Sequence, residues 1–164
     1  MTADGRNRFM MAGLNSDIIL CWKNCYEQFK DQPKDIVENL RGYDVDSTCQ
    51  AIFGYMVKRT YYQLDKDGEQ LIKSPRRLIA DGNGDCKSYT MFIACCLHCL
   101  EIPCIVRFVN FNGRDQYTHV YPVAIDEYGS EIIMDACELA DDKETVLYNY
   151  ARPYAKKKDI YYGE

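Results

Sequence analysis

Two periods of hydrophobic and polar residues succeed one another along this chain. Up to Leu100 the pattern is mainly helical. In residues 15–29 the apolar positions Ile18, Trp22, Cys25, Tyr26 and Phe29 fall on one stripe, with Asn15 or Ser16 placed to cap the first free amides. Pro33 suits the first position of a short second helix that packs Ile36, Val37 and Leu40. Asp46 or Ser47 starts a third, with Ile52, Phe53, Met56 and Val57 inward. Residues 61–64 and 70–73 read as strands around a turn at 65–68, and 74–81 as a loop. A fourth helix follows, in which Phe92, Ile93, Cys96, Leu97 and Leu100 share one face. Ile102-Pro103 closes it, because the residue before a proline is pushed out of helical geometry.

Beyond Pro103 the pattern becomes that of strands. Residues 104–111 form a β-rich run ending at the Asn112-Gly113 turn. Residues 117–125 and 131–137 flank a turn at 126–129. Pro122 has no N–H for a ladder, so either its amide side is unpaired or the ladder weakens there. A short helix is expected over 145–150. Residues 1–13 read as a loose arm and 155–164 as a tyrosine-rich tail. With no internal repeat and no low-complexity linker, the expectation is one domain over 1–164.

The start of the fourth helix carries the chemistry. Gly82 and Gly84 make a tight loop, Asp85 or Ser88 can cap the helix, and Cys86 falls in its first turn. Unpaired amides and the positive end of the helix dipole favour a thiolate there. A cysteine nucleophile needs a base, and the chain has two histidines. His98 lies on the same helix ~18 Å along the axis and cannot reach. His119, on a strand, remains. If Ile125 pairs with Gly129, His119 lies opposite Asp135, with Cβ atoms ~5 Å apart on one face. A shift of one residue would separate them onto opposite faces. Either the three form a Cys-His-Asp apparatus, or they are a buried thiol, a strand histidine and a surface aspartate.

Composition narrows the setting. The chain has 164 residues, an apolar share of 47% and a net charge of −5, which suits a globular domain and gives no reason to expect nucleic-acid binding. Lys156-Lys157-Lys158 reads as solvated tail. No apolar run approaches the ~20 residues of a membrane span, and the polar start lacks a signal peptide's apolar core. Nine cysteines, an odd number spread over apolar helical faces, read as reduced core thiols, so the cytoplasm is the expected location. Cys95, Cys96, His98 and Cys99 suggest zinc, yet no second paired-ligand motif accompanies them. Asp81, Asn83 and Asp85 mimic a calcium loop, but Cys86 stands where glycine is needed and Phe92 where glutamate is needed. No cofactor or metal is expected.

Gly84-Asp85-Cys86, then Leu100-Glu101-Ile102-Pro103-Cys104, then Thr118-His119-Val120-Tyr121 and Ile132-Ile133-Met134-Asp135 resemble the transglutaminase-like branch of the papain-like cysteine-protease superfamily, over residues 72–137. Asp67-Gly68, Gln70 and Lys73-Ser74-Pro75 are similar to compact bacterial and phage-associated members. The resemblance implies an α+β fold with the cysteine helix packed on an antiparallel sheet behind N-terminal helices. It implies Cys86 as nucleophile, His119 as base and acid, and Asp135 as orienter, acting on a protein or peptide. The chain departs from crosslinking members in lacking a tryptophan near the thiol, since Trp22 sits on the first helix. The Cys86 amide, with Gln63 or Gln70, could bind the oxyanion instead. Hydrolysis of a peptide or amide bond is the leading expectation. Transfer to an amine, and a non-catalytic interaction module of a phage or mobile-element assembly, are the alternatives.

Overall fold

The computed structural model describes residues 4–10 and 14–163. Its centre is helix α5 (Cys86–Cys99), in which every residue from Cys86 to Leu97 is buried. Helices α1 (Ser16–Phe29), α2 (Lys34–Val37), α3 (Val45–Arg59) and α4 (Pro75–Asp81) pack around it. On its other side lies an antiparallel sheet of β5 (Cys104–Asn110), β6 (His119–Ile125), β7 (Glu131–Ile133) and β8 (Lys156–Tyr162), in the order β7-β6-β5-β8. The mixed α/β architecture joins helices and sheet through one face: Val106, Phe108, Val120, Ala124 and Ile132 meet Met91, Phe92 and Cys95 in one core. The Thr90 hydroxyl donates to the Val120 carbonyl at 3.2 Å, tying α5 to β6. Among the described residues no helix is long and apolar enough to cross a membrane.

Capping explains most helix starts. Asn15 accepts from the amides of Asp17 and Ile18, and Asp44 makes a reciprocal capping box with Ser47. The stretch expected to be a loop at 74–81 is instead α4. Ser74 caps it, Pro75 occupies its first position, and Gly82 ends it in the left-handed region at φ 72°. All three signals stand in the sequence. The helix expected at 145–150 does not form. Asp142 accepts from the amides of Glu144 and Thr145 and from the Thr145 hydroxyl, so those donors are committed to a turn.

Both ends of the chain differ from expectation. Within the segment read as an arm, residues 1–3 and 11–13 lie outside the described residues, and Arg6–Met10 form β1. β1 pairs antiparallel with β3 (Glu69–Lys73). The segment read as a tail supplies β8, paired along the whole of β5. Its lysines are exposed because β8 is a sheet edge, where charge discourages further pairing. Residues 61–64 give only the short β2 (Tyr61–Tyr62), parallel to β4 (Asn83–Gly84).

The β6–β7 hairpin has a longer turn than expected. Asp126 closes it with Ser130 through both backbone and side chain, so Ile125 pairs with Glu131 and not with Gly129. The register moves by two residues, which keeps each side chain on its expected face.

Trp22 belongs to the core. Its indole Nε1 donates to the Lys87 carbonyl at 3.0 Å, one residue past Cys86. Trp22→Phe removes that second donor to a helical carbonyl and leaves a gap where the larger ring packed, and is expected to cost about 1–3 kcal/mol in urea unfolding followed by far-ultraviolet circular dichroism.

Candidate active site

The loop before α5 is built for close approach. A Cβ on Gly84 would lie 2.7 Å from Leu78 Cδ1 and 3.1 Å from Ser88 Cβ, so only glycine lets β4 run this near to α4 and α5. Lys73 secures the same loop, its ammonium reaching the Asn83 carbonyl at 2.8 Å and Asp81 at 3.0 Å. Asp81 is also gripped by Arg6, whose hydrogen bonds hold its carboxyl well below the usual range. Asp85 then caps α5, accepting from the Lys87 amide at 3.0 Å. Ser88, the other candidate cap, instead takes the Lys73 amide and so stitches β3 to α5.

Beside Cys86 sits a buried charge cluster. The Lys87 ammonium bonds the Asp85 carboxylate and lies 3.0 Å from Asp65, which also accepts from the Leu71 amide at 2.7 Å. Burial pushes the Asp85 carboxyl up, to about 6; Lys87 opposes the rise and Asp65 adds to it. Burial works against the Lys87 charge, but Asp85, Cys86 and Asp65 together outweigh it, and the ammonium is held.

His119 opens β6, so its ring stands at the end of the sheet, level with the mouth of α5. It lies between the rings of Phe111 and Tyr121, with centroids 6.0 Å and 5.8 Å away, and Arg152 covers Phe111. Its Nε2 is 2.7 Å from Asp135 Oδ2. Cys86 is the other group that acts on the ring, favouring its cationic form. Burial alone would lower the imidazole; hydrogen bonds to Asp135 and Cys86, and their charges, overcome it and push the ring up to about 10. The three residues singled out from the sequence are therefore brought together. His98 is not among them; it pairs with Asp31 near the far end of α5.

Several neighbours had no sequence signal. The sulfur lines a cleft of about 330 Å³ together with Tyr62, Leu64, Gln70 and Thr118. A second cleft, of about 320 Å³ and mainly apolar, is lined by Tyr62, Tyr89, Cys137 and Val146. Tyr62 stands between the two. Burial raises its phenol first, and the charges of Cys86 and Cys137 add to the shift. Of the two glutamines considered as oxyanion donors, Gln70 lines the cleft of Cys86, whereas Gln63 is not among its lining residues and its backbone N–H donates to the Gly84 carbonyl. Cys137 also approaches the site: its N–H donates to Asp135 Oδ1 at 3.2 Å. Its sulfur, a ring nitrogen of His119 and a carboxylate oxygen of Asp135 lie within 4.8 Å of one another.

No protein-family model matches the sequence, nor does any curated protein. Solved structures do share the fold. A "putative cysteine protease" from Cytophaga hutchinsonii superposes with a TM-score of 0.55 at 17% identity, over 92% of this chain and 53% of its own. A "putative protease" from Parabacteroides distasonis gives 0.55 at 11% identity, over 68% of this chain and 25% of its own. The fold is thus cysteine-protease-like, and the chain spans about half the length of the first structure and a quarter of the second.

Two outcomes test the electrostatics. Lys87→Met leaves Asp85 and Asp65 facing each other without a cation, and is expected to cost about 3 kcal/mol in urea unfolding at neutral pH. Adding Asp65→Asn should restore part of it. For His119, the folded-state pKa of about 10 exceeds the ordinary 6.5. Its contribution is therefore complete below about pH 6.5 and lost as pH rises through about 10. Wild type should lose stability relative to His119→Gln across that window.

Proposed function

We propose that this chain is a cysteine-dependent acyl-transfer enzyme that hydrolyses a peptide or amide bond through Cys86, His119 and Asp135. The observation that carries the reading is the 2.7 Å contact between His119 Nε2 and Asp135, on a ring whose charge Cys86 also favours, with Cys86 lining an open cleft. Asp135 orients the ring and stabilises its cationic form, so the proton of the thiol rests on His119. The sulfur attacks the substrate carbonyl carbon. The developing oxyanion takes the Cys86 N–H, which has no helical acceptor in the first turn, with Gln70 and Tyr62 of the same cleft as the side-chain donors. The imidazolium gives its proton to the departing amine and a thioester forms. Water then gives a proton to the ring and attacks the thioester, releasing the acid and restoring the thiolate–imidazolium pair.

The clefts on either side of Tyr62 suit an extended chain crossing the sulfur, which favours a protein or peptide substrate. The fold shared with structures described as proteases supports the same class. Membership of the transglutaminase-like branch stays within this proposal, as does a bacterial or phage setting.

Iodoacetamide mapping tests the nucleophile. Burial raises all eight other thiols, Cys25 to about 11 and Cys49 and Cys104 to about 12. Cys86 should therefore alkylate first at neutral pH, and Cys86→Ala should abolish cleavage of an unstructured protein substrate. Asp135→Asn should lower kcat by about 10²–10⁴-fold. Alkylation of Cys86 no faster than of Cys49, together with no turnover, would leave a non-catalytic module. Incorporation of an added amine in preference to water would make the enzyme a transferase.

A further inference from the structure

The reaction proposed above uses Cys86 and leaves a second thiol idle at the same imidazole. Cys137 follows β7 where the chain has left the sheet. Its sulfur, a His119 nitrogen and an Asp135 oxygen lie within 4.8 Å of one another. Asp135 Oδ1 is already held by the Cys137 N–H at 3.2 Å, and Oδ2 is the atom that faces His119. Cys137 also lines the apolar cleft beyond Tyr62, which gives an ion a route in from solvent.

We propose that His119, Asp135 and Cys137 form a binding site for Zn²⁺ that, when filled, takes the imidazole away from Cys86. One nitrogen, one thiolate and one carboxylate form the mixed donor set zinc accepts, and the soft sulfur disfavours magnesium and calcium. Zinc–ligand bonds of about 2.0–2.3 Å in a tetrahedron put ligand atoms about 3.3–3.8 Å apart. Donors within 4.8 Å reach that by side-chain rotation, without moving a strand. The fourth position falls to water.

Charge balance makes the exchange feasible in a buried place. In Cys86→Ala, the variant used below, an imidazolium and the Asp135 carboxylate cancel and the Cys137 thiol is neutral. Zinc enters as two protons leave, one from the His119 ring and one from the Cys137 sulfur, and the sum stays at zero. No bond to carbon changes and no electron moves. The metal replaces the proton between His119 and Asp135, so a filled site has neither general acid nor base to offer. The held Oδ1 fixes the carboxylate as an outer hydrogen bond fixes a zinc ligand.

Metal binding needs no turnover, so it is measured in the full chain carrying Cys86→Ala, where the proposed reaction cannot occur. Under reducing, oxygen-free conditions Co²⁺ should bind with tetrahedral d–d absorption and a thiolate-to-cobalt charge-transfer band, both bleached by Zn²⁺. Adding Cys137→Ser should remove the charge-transfer band and weaken Zn²⁺ by more than about a hundredfold. Adding Asp135→Asn should weaken binding and keep the band. X-ray absorption at the zinc edge of Cys86→Ala, which needs no second variant to fold, should report one sulfur among nitrogen and oxygen neighbours. A band and affinity that survive Cys137→Ser, two or more sulfurs at the metal, or no tetrahedral cobalt spectrum at all would each overturn the site. None of these results depends on whether Cys86 is a nucleophile.

Discussion

The burial of α5 fixes where the sulfur of Cys86 can be. Met91, Phe92, Ile93 and Leu97 are all fully buried, each at about 1.5–3 kcal/mol relative to exposure. The cap at Asp85 and the hydrogen bonds of Ser88 and Trp22 contribute about 1 kcal/mol apiece. The core therefore decides the helix axis, and the local bonds decide only where the helix begins. That division has a chemical result. The first turn is clamped by Trp22 from α1, by the Lys73 amide of β3 on Ser88, and by Asp65, from the loop before β3, on Lys87, so Cys86 sits on a rigid element rather than a mobile loop.

The other half of the site depends on a broken ladder. Pro122 faces β7 with its carbonyl, which accepts from the Met134 amide at 3.0 Å. In an antiparallel pair the amide of the same residue points the same way, and proline has none to give. The Met134 carbonyl thus goes without its reciprocal donor, and β7 stops at Ile133. Freed of the ladder, the chain turns and carries Asp135 to His119, three residues before Pro122.

These two devices differ in how far they could be read from the chain. The position of Cys86 was legible because capping, the glycines and a single apolar face are local signals that agree. The approach of His119 and Asp135 was legible by parity: the turn at Asp126 is longer than expected, but a shift of two residues preserves the face. Pro122 was recognised as a weak point in the ladder, though not as its cause of ending. Lys87, Asp65, Tyr62 and Cys137 carried no such signal, because what gives each its role is a contact between distant segments. β1 and β8 escaped for a related reason. Edge strands protect themselves with charge, so Arg6, Arg8 and Lys156-Lys157-Lys158 hide the alternation that marks a strand.

Buried carboxylates recur around the sulfur, and their effect on proton and metal is opposite. Asp135 raises the affinity of the His119 ring for a proton, which favours the cationic acid that the proposed hydrolysis would use. The same carboxylate would ligate a metal, and a metal must displace that proton and the one on Cys137 before it can bind. Proton and zinc therefore compete for one pair of groups, with zinc gaining as the pH rises. Asp85 and Asp65 do not enter this competition, since Lys87 already neutralises part of their charge. The separation of Asp135 from the Asp85–Asp65 pair would keep the helix mouth intact whichever cation occupied the histidine.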